Sequence, residues 1–414
     1  MKFKDIQEIS HGKSVLVRVF FCLLFAIAGL ISGCGGDGGG AETKTGSGGT
    51  GDPGATSDAL NAAGPLSTVG IASIAATGLD DRASTIFINT VANQSFTALK
   101  LGMVAEVRGT IPASSTTTTA GTATNIVVQS AVVGLVSAVD VVNQRITVLP
   151  ITVQVDQNTI FEGINSLTTL AVGTRIEAYG MPQAESKTIL ATRLIALPAI
   201  AGAPVELVGT ATNVSAFQIT VQGVAVSLGS LASVTTPTGT VAGTASIVEN
   251  ARVRVLGTYS ANTNSMLATQ IVTGIPVARS DNAILVLDGI VQTVSANGRF
   301  RLNDTDVDTT TANTATIASG ARVQVKGRKT SGVLAATDFR RIAAGERIQL
   351  VVQGDIANFA SIASFTVRGE TINASAATFV GGTAANLANG RTVRIKVQAN
   401  AGRLEATEVS FVTS

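Results

Sequence analysis

The sequence predicts an all-β protein built as a tandem array of about five small barrels, and three observations carry that prediction. An eight-residue segment recurs five times: GMVAEVRG from Gly102 to Gly109, GTRIEAYG from Gly173 to Gly180, NARVRVLG from Asn250 to Gly257, GARVQVKG from Gly320 to Gly327, and GRTVRIKV from Gly390 to Val397. The starts are 71, 77, 70 and 70 residues apart. A second signature keeps the same period behind it: ATNI from Ala123, ATRL from Ala191, ATQI from Ala268, ATDF from Ala336 and ATEV from Ala406. Two independent motifs locked to one period mark internal repeats. Within the first signature apolar and polar residues alternate, as in strands with one buried face.

Each part of the unit has a physical reading. Gly, replaced once by Asn250, opens the first signature, and these residue types best tolerate a left-handed backbone. A tight turn therefore launches the strand. Its fourth and sixth places are apolar (Ala105/Val107, Ile176/Ala178, Val253/Val255, Val323/Val325, Val393/Ile395) and read as core. Glu106, Glu177, Arg254, Gln324 and Arg394 between them read as the solvent face. The Ala-Thr signature reads as the partner strand of a final hairpin.

Upstream, an early glycine (Gly134, Gly209, Gly289, Gly354) carries apolar residues two and five places later, a spacing that requires a bulge or bend. Short hairpins follow, with turns at Gln222-Gly223, Asn303-Asp304 and Arg368-Gly369. Phe217, Phe300 and Phe365 read as one equivalent core position. Five short strands with a bent first strand predict a small closed barrel of the OB type, with a small β-sandwich as the alternative. The period places domains at 67–129, 130–200, 201–278, 279–345 and 346–414. The first is the least regular, its middle hairpin poorly marked between Thr85 and Phe96.

The chain begins differently. Lys2, Lys4, Lys13 and Arg18 precede an uncharged apolar run from Val19 to Leu30, which ends in Ile31-Ser32-Gly33-Cys34. That run is short for a transmembrane helix. The order aliphatic, small, small, Cys resembles the lipobox of bacterial lipoproteins. The resemblance implies a signal peptide over 1–33 and acylation of Cys34 as the new N-terminus. Residues 34–66, rich in Gly, Ser and Thr, read as a disordered tether. Gly35 stands where an Asp would resemble an inner-membrane retention signal, so the expected location is the cell envelope, anchored at the outer membrane.

The repeats resemble a bacterial lipoprotein family built from tandem copies of domain of unknown function 5666. The carrying residues are Leu99 to Thr110, Val133 to Asp140, Asn158 to Phe161, Leu170 to Glu177 and Leu190 to Leu194. The resemblance is good over units one and two and moderate over units three to five. Asn250, and Val397 in place of a closing Gly, depart from the pattern. The resemblance implies no activity, cofactor or site residue.

Composition narrows the chemistry further. The two cysteines are Cys22 and Cys34 and the single histidine is His11, so a chain processed at Cys34 keeps no His, no Trp and no free thiol. That excludes Ser-His-Asp and Cys-His nucleophiles and the usual zinc ligand sets. No Gly-rich phosphate loop is present, and neither an enzyme nor a cofactor is expected. Removing four bases and two acids from 29 and 27 leaves 25 of each. The balance is uneven: the chain carries 15 bases and 11 acids from Arg279 onward, against 10 and 14 from Cys34 to Gly274. This opens a weak electrostatic preference between molecules.

Few side chains invite a functional reading. Asp304, Asp306 and Asp308 resemble the start of a calcium loop, but the sixth position is Thr309 and the twelfth is Ala315, leaving a weak metal candidate. Tyr179 and Tyr259 could contact a glycan, and Arg340-Arg341 reads as a solvated loop. A neutral, aromatic-poor chain argues against nucleic acid. The long insertion Ser230 to Ile247 is the best candidate recognition loop. The expectation is a non-catalytic, lipid-anchored envelope protein whose barrels act as a spacer or binding scaffold. A surface adhesin for a glycan or protein is the alternative, and a carboxylate-dependent enzyme a remote third.

Overall fold

The computed structural model describes residues 57–412 except 70–71, 75–76, 81–83, 90, 113–120, 184–186, 237–238, 243, 245, 274–280, 296–298 and 311–316. The predicted signal peptide, Cys34 and most of the tether lie outside the described residues. Within them the chain is β throughout, with three short 3-10 turns and no α-helix.

Barrel 2 shows the plan. Its five strands are Val132–Asp140, Arg145–Val148, Ile151–Gln154, Arg175–Pro182 and Thr188–Ala196. The first pairs antiparallel with the second, the second with the third, and the third runs parallel to the fifth. The fifth pairs antiparallel with the fourth, and the fourth returns to the first. The path 1-2-3-5-4-1 closes the sheet and leaves no free edge, as the OB prediction required.

Barrel 3 (Val205–Thr212 to Ser265–Thr273), barrel 4 (Ile284–Val294 to Val333–Ile342) and barrel 5 (Leu350–Ser361 to Arg403–Phe411) repeat this path. Barrel 1 repeats it too, but its first strand is Ser57–Pro65, continued by Thr68–Val69. The tether predicted through residue 66 therefore contains the opening strand of the first barrel. Its first hairpin is Ala72–Ile74 with Thr77–Asp80, upstream of the predicted interval. Thr85–Ile88 is instead a short strand parallel to the fifth, as are Ile160–Glu162 in barrel 2 and Thr378–Val380 in barrel 5.

One turn closes every barrel. Gly102, Gly173, Asn250, Gly320 and Gly390 all have positive φ (74°, 88°, 67°, 84° and 81°), as their residue types predicted. Their amides donate to the carbonyls of Leu66, Val136, Ala211, Val291 and Ile356, each two residues after a glycine. Gly64 is thus the fifth early glycine, hidden in the presumed tether. Three residues before each turn sits an apolar plug: Leu99, Leu170, Ile247 and Leu387 are buried, and Ile317 packs on its barrel core.

The glycine closing the first signature marks a bulge inside the strand pair rather than a turn. A Cβ at Gly109, Gly180, Gly257 or Gly327 would lie 2.1, 2.6, 2.1 or 2.0 Å from a carbonyl oxygen of the fifth strand. The register shifts at each of these glycines. Val397, the predicted departure, takes the same shift and is buried.

The barrels do not follow one another like beads. The first strand of barrel 1 pairs in parallel with the first strand of barrel 4, from Leu60↔Ile284 to Ala63↔Leu287. Thr68–Val69 pairs with Val351 and Val352 of barrel 5, and Glu206–Leu207 of barrel 3 pairs with Val132–Val133 of barrel 2. Barrels 1 and 5 share one apolar core, barrels 2 and 3 another. Some residues on the outer strand faces are therefore covered by other barrels, although Arg394 stays exposed as predicted. Arg254, predicted to face solvent, is only 3% exposed and ion-paired with Glu206, while Glu177 is half-buried.

Candidate clefts at the barrel junctions

The first junction joins barrels 1, 2 and 5 around Arg193, the third residue of the ATRL signature. Its guanidinium is 1% exposed. Nη1 donates to Glu370 Oε1 and to the Leu101 carbonyl, both at 2.9 Å, and Nη2 donates to Glu162. Glu370 Oε1 also accepts the Leu101 amide at 2.9 Å. Burial works against the arginine's charge, but the charges and hydrogen bonds of Glu370 and Glu162 outweigh it, holding Arg193 above the ordinary arginine range. Next to it, Tyr179 donates its hydroxyl to Glu177 at 2.9 Å, and Asn89 of barrel 1 donates to the same oxygen. Burial, then the Glu177 charge, pushes the Tyr179 hydroxyl far up. Tyr179 is a structural link between barrels and not a free stacking surface.

A polar cleft of about 450 Å³ opens beside this junction between barrels 2 and 5. Glu162, Asn165, Arg193, Glu370, Arg403 and Glu405 line it. Its charged groups are largely satisfied at the base by the Arg193 ion pairs. A second cleft of about 370 Å³ lies between barrels 2 and 3 and reaches Gln292 and Asp304 of barrel 4. Lys187, Arg252, Gln183 and Gln222 line it over a base that includes Gly180, Gly209 and Val208. Arg252 Nε is buried there without a hydrogen-bond partner.

The sequence-predicted site residues fare unevenly. Asp304, Asp306 and Asp308 do not form a cage: no group of three or more acidic or metal-ligating residues converges among the described residues. Asp304 is the second turn residue, with φ 60°, and lies 3.9 Å from Arg301. Asp306 also faces Arg301, at 3.5 Å, and Asp308 pairs with Arg299 at 2.9 Å. Tight-turn geometry and arginines on the neighbouring strand point these carboxylates at cations of the same barrel.

Phe300 and Phe365 are buried, but Phe217 is 72% exposed. Ile219 occupies the core place in barrel 3, so the equivalence was two residues out of step. Tyr259 donates to Asn264 Oδ1 at 3.0 Å, and partial burial raises its hydroxyl pKa. Arg340 and Arg341 lie on a strand, not a loop, and Arg340 pairs with Glu346. The insertion Ser230 to Ile247 is built into the barrel as far as it is described. Residues to Thr236 extend the third strand, Gly239–Ala242 folds back on it, and Val234 and Ile247 are core.

Sequence reasoning missed Arg193, Glu370 and Arg252 as junction residues. Arg193 stands where other repeats carry Asn125, Gln270, Asp338 or Glu408, and Arg252 where two others carry Arg175 and Arg322, so the repeat pattern singled out neither, and an outward charge reads as solvated until its covering barrel is known.

The profile of "Domain of unknown function (DUF5666)" matches residues 133–194, 280–338 and 353–410. These are barrels 2, 4 and 5. Barrel 1, where the resemblance was expected to be good, is unmatched, although it shares the strand path. No curated protein matches the chain. Three segments of the chain thus match DUF5666 in a tandem arrangement, each folded as a small five-stranded barrel.

Proposed function

We propose that the chain is a non-catalytic, lipid-anchored protein of the bacterial envelope, held through Cys34, whose packed barrels form a rigid scaffold for recognition. The observation that supports a scaffold over an extended spacer is the buried Arg193–Glu370 pair, which fastens barrel 2 to barrel 5 across the chain. A string of independent barrels would have no use for such a contact. The regular positions of each barrel are spent on core packing and closing turns, leaving the junction clefts and loops for binding. A glycan or protein ligand fits the adhesin form of this reading, because both clefts carry polar side chains spaced for hydrogen bonding.

The test is lipidation and retention together. Cells fed a radiolabelled fatty acid incorporate label into the wild-type chain, and Cys34→Ser abolishes both label and membrane retention. Equal labelling and retention in the variant would overturn the anchor. Turnover of a substrate, lost on substitution of an acidic residue, would overturn the non-catalytic reading.

A further inference from the structure

The repeats make it possible to ask what each arginine's partner should be. Arg322 occupies the third place of the barrel 4 signature, and Arg252 the same place in barrel 3. In barrel 4, Asp288 on the first strand holds Arg322 through two hydrogen bonds, Nε at 3.0 Å and Nη2 at 3.1 Å. Asp288 lies immediately before the early glycine Gly289 and pairs in register with Gln324. The matching residue in barrel 3 lies immediately before Gly209 and pairs in register with Arg254. It is Val208. The acid that neutralises this arginine in one copy is an apolar residue in the other.

Arg252 has no replacement partner among the described residues. Arg254, two residues on, is taken up by Glu206. Arg252 Nε is buried with no acceptor, a state that costs about 1–3 kcal/mol unless something else supplies the bond. Val208 and Arg252 both line the cleft between barrels 2 and 3.

A second cation joins it. The Lys187 side chain, from the last hairpin of barrel 2, reaches over the Gln222-Gly223 turn of barrel 3. A Cβ on Gly223 would sit 3.1 Å from Lys187 Nζ. The lysine makes no ion pair with a described acid, and the one acid lining the cleft among the described residues, Asp304, faces Arg301. Around these two cations stand Gln183, Gln222, Gln292 and Thr210, which donate and accept hydrogen bonds.

We propose that this cleft is a binding site for an acidic saccharide, with Arg252 and Lys187 holding its carboxylate or phosphate and the glutamines its hydroxyls. Arginine suits the acid because its planar fork donates two parallel bonds to an oxyanion. The missing Asp at Val208 is what leaves that fork open. The volume, about 370 Å³, suits one or two sugar rings. The inference rests on the cleft and holds whether or not Cys34 anchors the chain.

The experiment is calorimetric titration of the full-length chain in detergent with glucuronate, glucose 6-phosphate, inorganic phosphate and glucose. The expected result is saturable binding of at least one acidic sugar and none of glucose. Arg252→Gln and Lys187→Gln should each weaken it by about tenfold or more. Val208→Asp, which gives barrel 3 the internal acid of barrel 4, should weaken it as much while leaving the arginine in place. Arg341→Gln, on an exposed strand face, should leave it unchanged. Binding of glucuronate alone assigns the source to a uronic acid, whereas binding of glucose 6-phosphate and phosphate assigns it to a phosphorylated sugar. No saturation by any of the three anions up to about 10 mM, or wild-type affinity retained in Arg252→Gln and Val208→Asp, overturns the proposal.

Discussion

Arg322 of barrel 4 and Arg252 of barrel 3 stand at the same place in two copies of one fold, yet the first is clamped by Asp288 and the second faces Val208. The two barrels share the strand path, the positive-φ launch residue and the bulge glycine, at Gly257 and Gly327. They differ in residues that face away from their own cores. In a repeat protein the inward pattern is shared by every copy, whereas the outward pattern is set by which neighbour covers it. Barrel 4 matches the DUF5666 profile and barrel 3 does not, so the outward differences accompany a wider divergence in sequence.

The largest expected effect tests whether core equivalence holds between the two barrels. Phe300 is buried in barrel 4 and meets Phe339 edge-on at 6.2 Å. Phe300→Ala should cost about 3–5 kcal/mol, with the loss of the aromatic contact included. Phe217→Ala in barrel 3 should stay within about 0.5 kcal/mol, because that ring is mostly in water. Hydrogen exchange read barrel by barrel checks both: amides of barrel 4 should lose protection and those of barrel 3 keep it. Comparable losses from the two substitutions would restore the original equivalence of the phenylalanines.

Next comes the ion pair itself. Arg322 is held above the ordinary arginine range because the Asp288 charge and hydrogen bonds outweigh the cost of burial. Asp288→Val makes barrel 4 resemble barrel 3, but it leaves Arg322 buried without its acid. The expected cost is about 3 kcal/mol, at the lower end for a broken buried pair because the Arg322 side chain keeps an 11% opening to water. Arg322→Leu on the Asp288→Val background should recover much of that loss, since both buried charges are then gone. Urea denaturation of the single and double variants gives the comparison directly.

These contrasts show what was legible in the chain and what was not. The left-handed turns at Gly102 and its equivalents were legible because few residue types tolerate that backbone, and the alternation after them because a strand has two faces. Ser57–Pro65 was not. Its alanines, asparagine and glycine have the composition of a flexible linker, and they become a strand only between the fourth strand of barrel 1 and the first strand of barrel 4. Arg193 was missed for the same reason: its partners Glu370 and Leu101 lie 177 and 92 residues away. The Ser230 to Ile247 insertion looked like a loop by composition, and the core place of Val234 depends on pairing with Ile271 of the fifth strand.

A smaller effect is expected at the bulge, where the two barrels are alike. A Cβ at Gly257 would lie 2.1 Å from the Leu267 carbonyl oxygen, and one at Gly327 would lie 2.0 Å from that of Ala335. Gly257→Ala and Gly327→Ala should each cost about 1–3 kcal/mol, by the same overpacking and in similar measure. Thermal melts of the two variants should shift together. A large difference between them would mean that the bulges are not equivalent, despite the common register shift.

The smallest expected effect separates the barrels again, through pH. Asp308 on the third strand of barrel 4 faces Arg299 on the second, in the place where barrel 3 pairs Ser227 with Gln218. The Thr310 backbone and side chain, then Arg299, hold the Asp308 carboxyl below its ordinary value. A carboxyl whose folded pKa is lowered contributes stability at pH above its unfolded value, and loses that contribution as pH falls through the folded value. Barrel 4 should therefore soften from about pH 4 downward. Barrel 3 has no carboxyl at this position to contribute such a term. The chemical shift of Asp308 followed between neutral and acid pH reads the group itself. Asp308→Asn should flatten the acid limb of barrel 4 protection and leave the neutral-pH value almost unchanged, because Arg299 is largely exposed and its surface pairing is weak. An acid limb that survives in the variant would assign it to other carboxylates and remove this pair from the contrast between the two barrels.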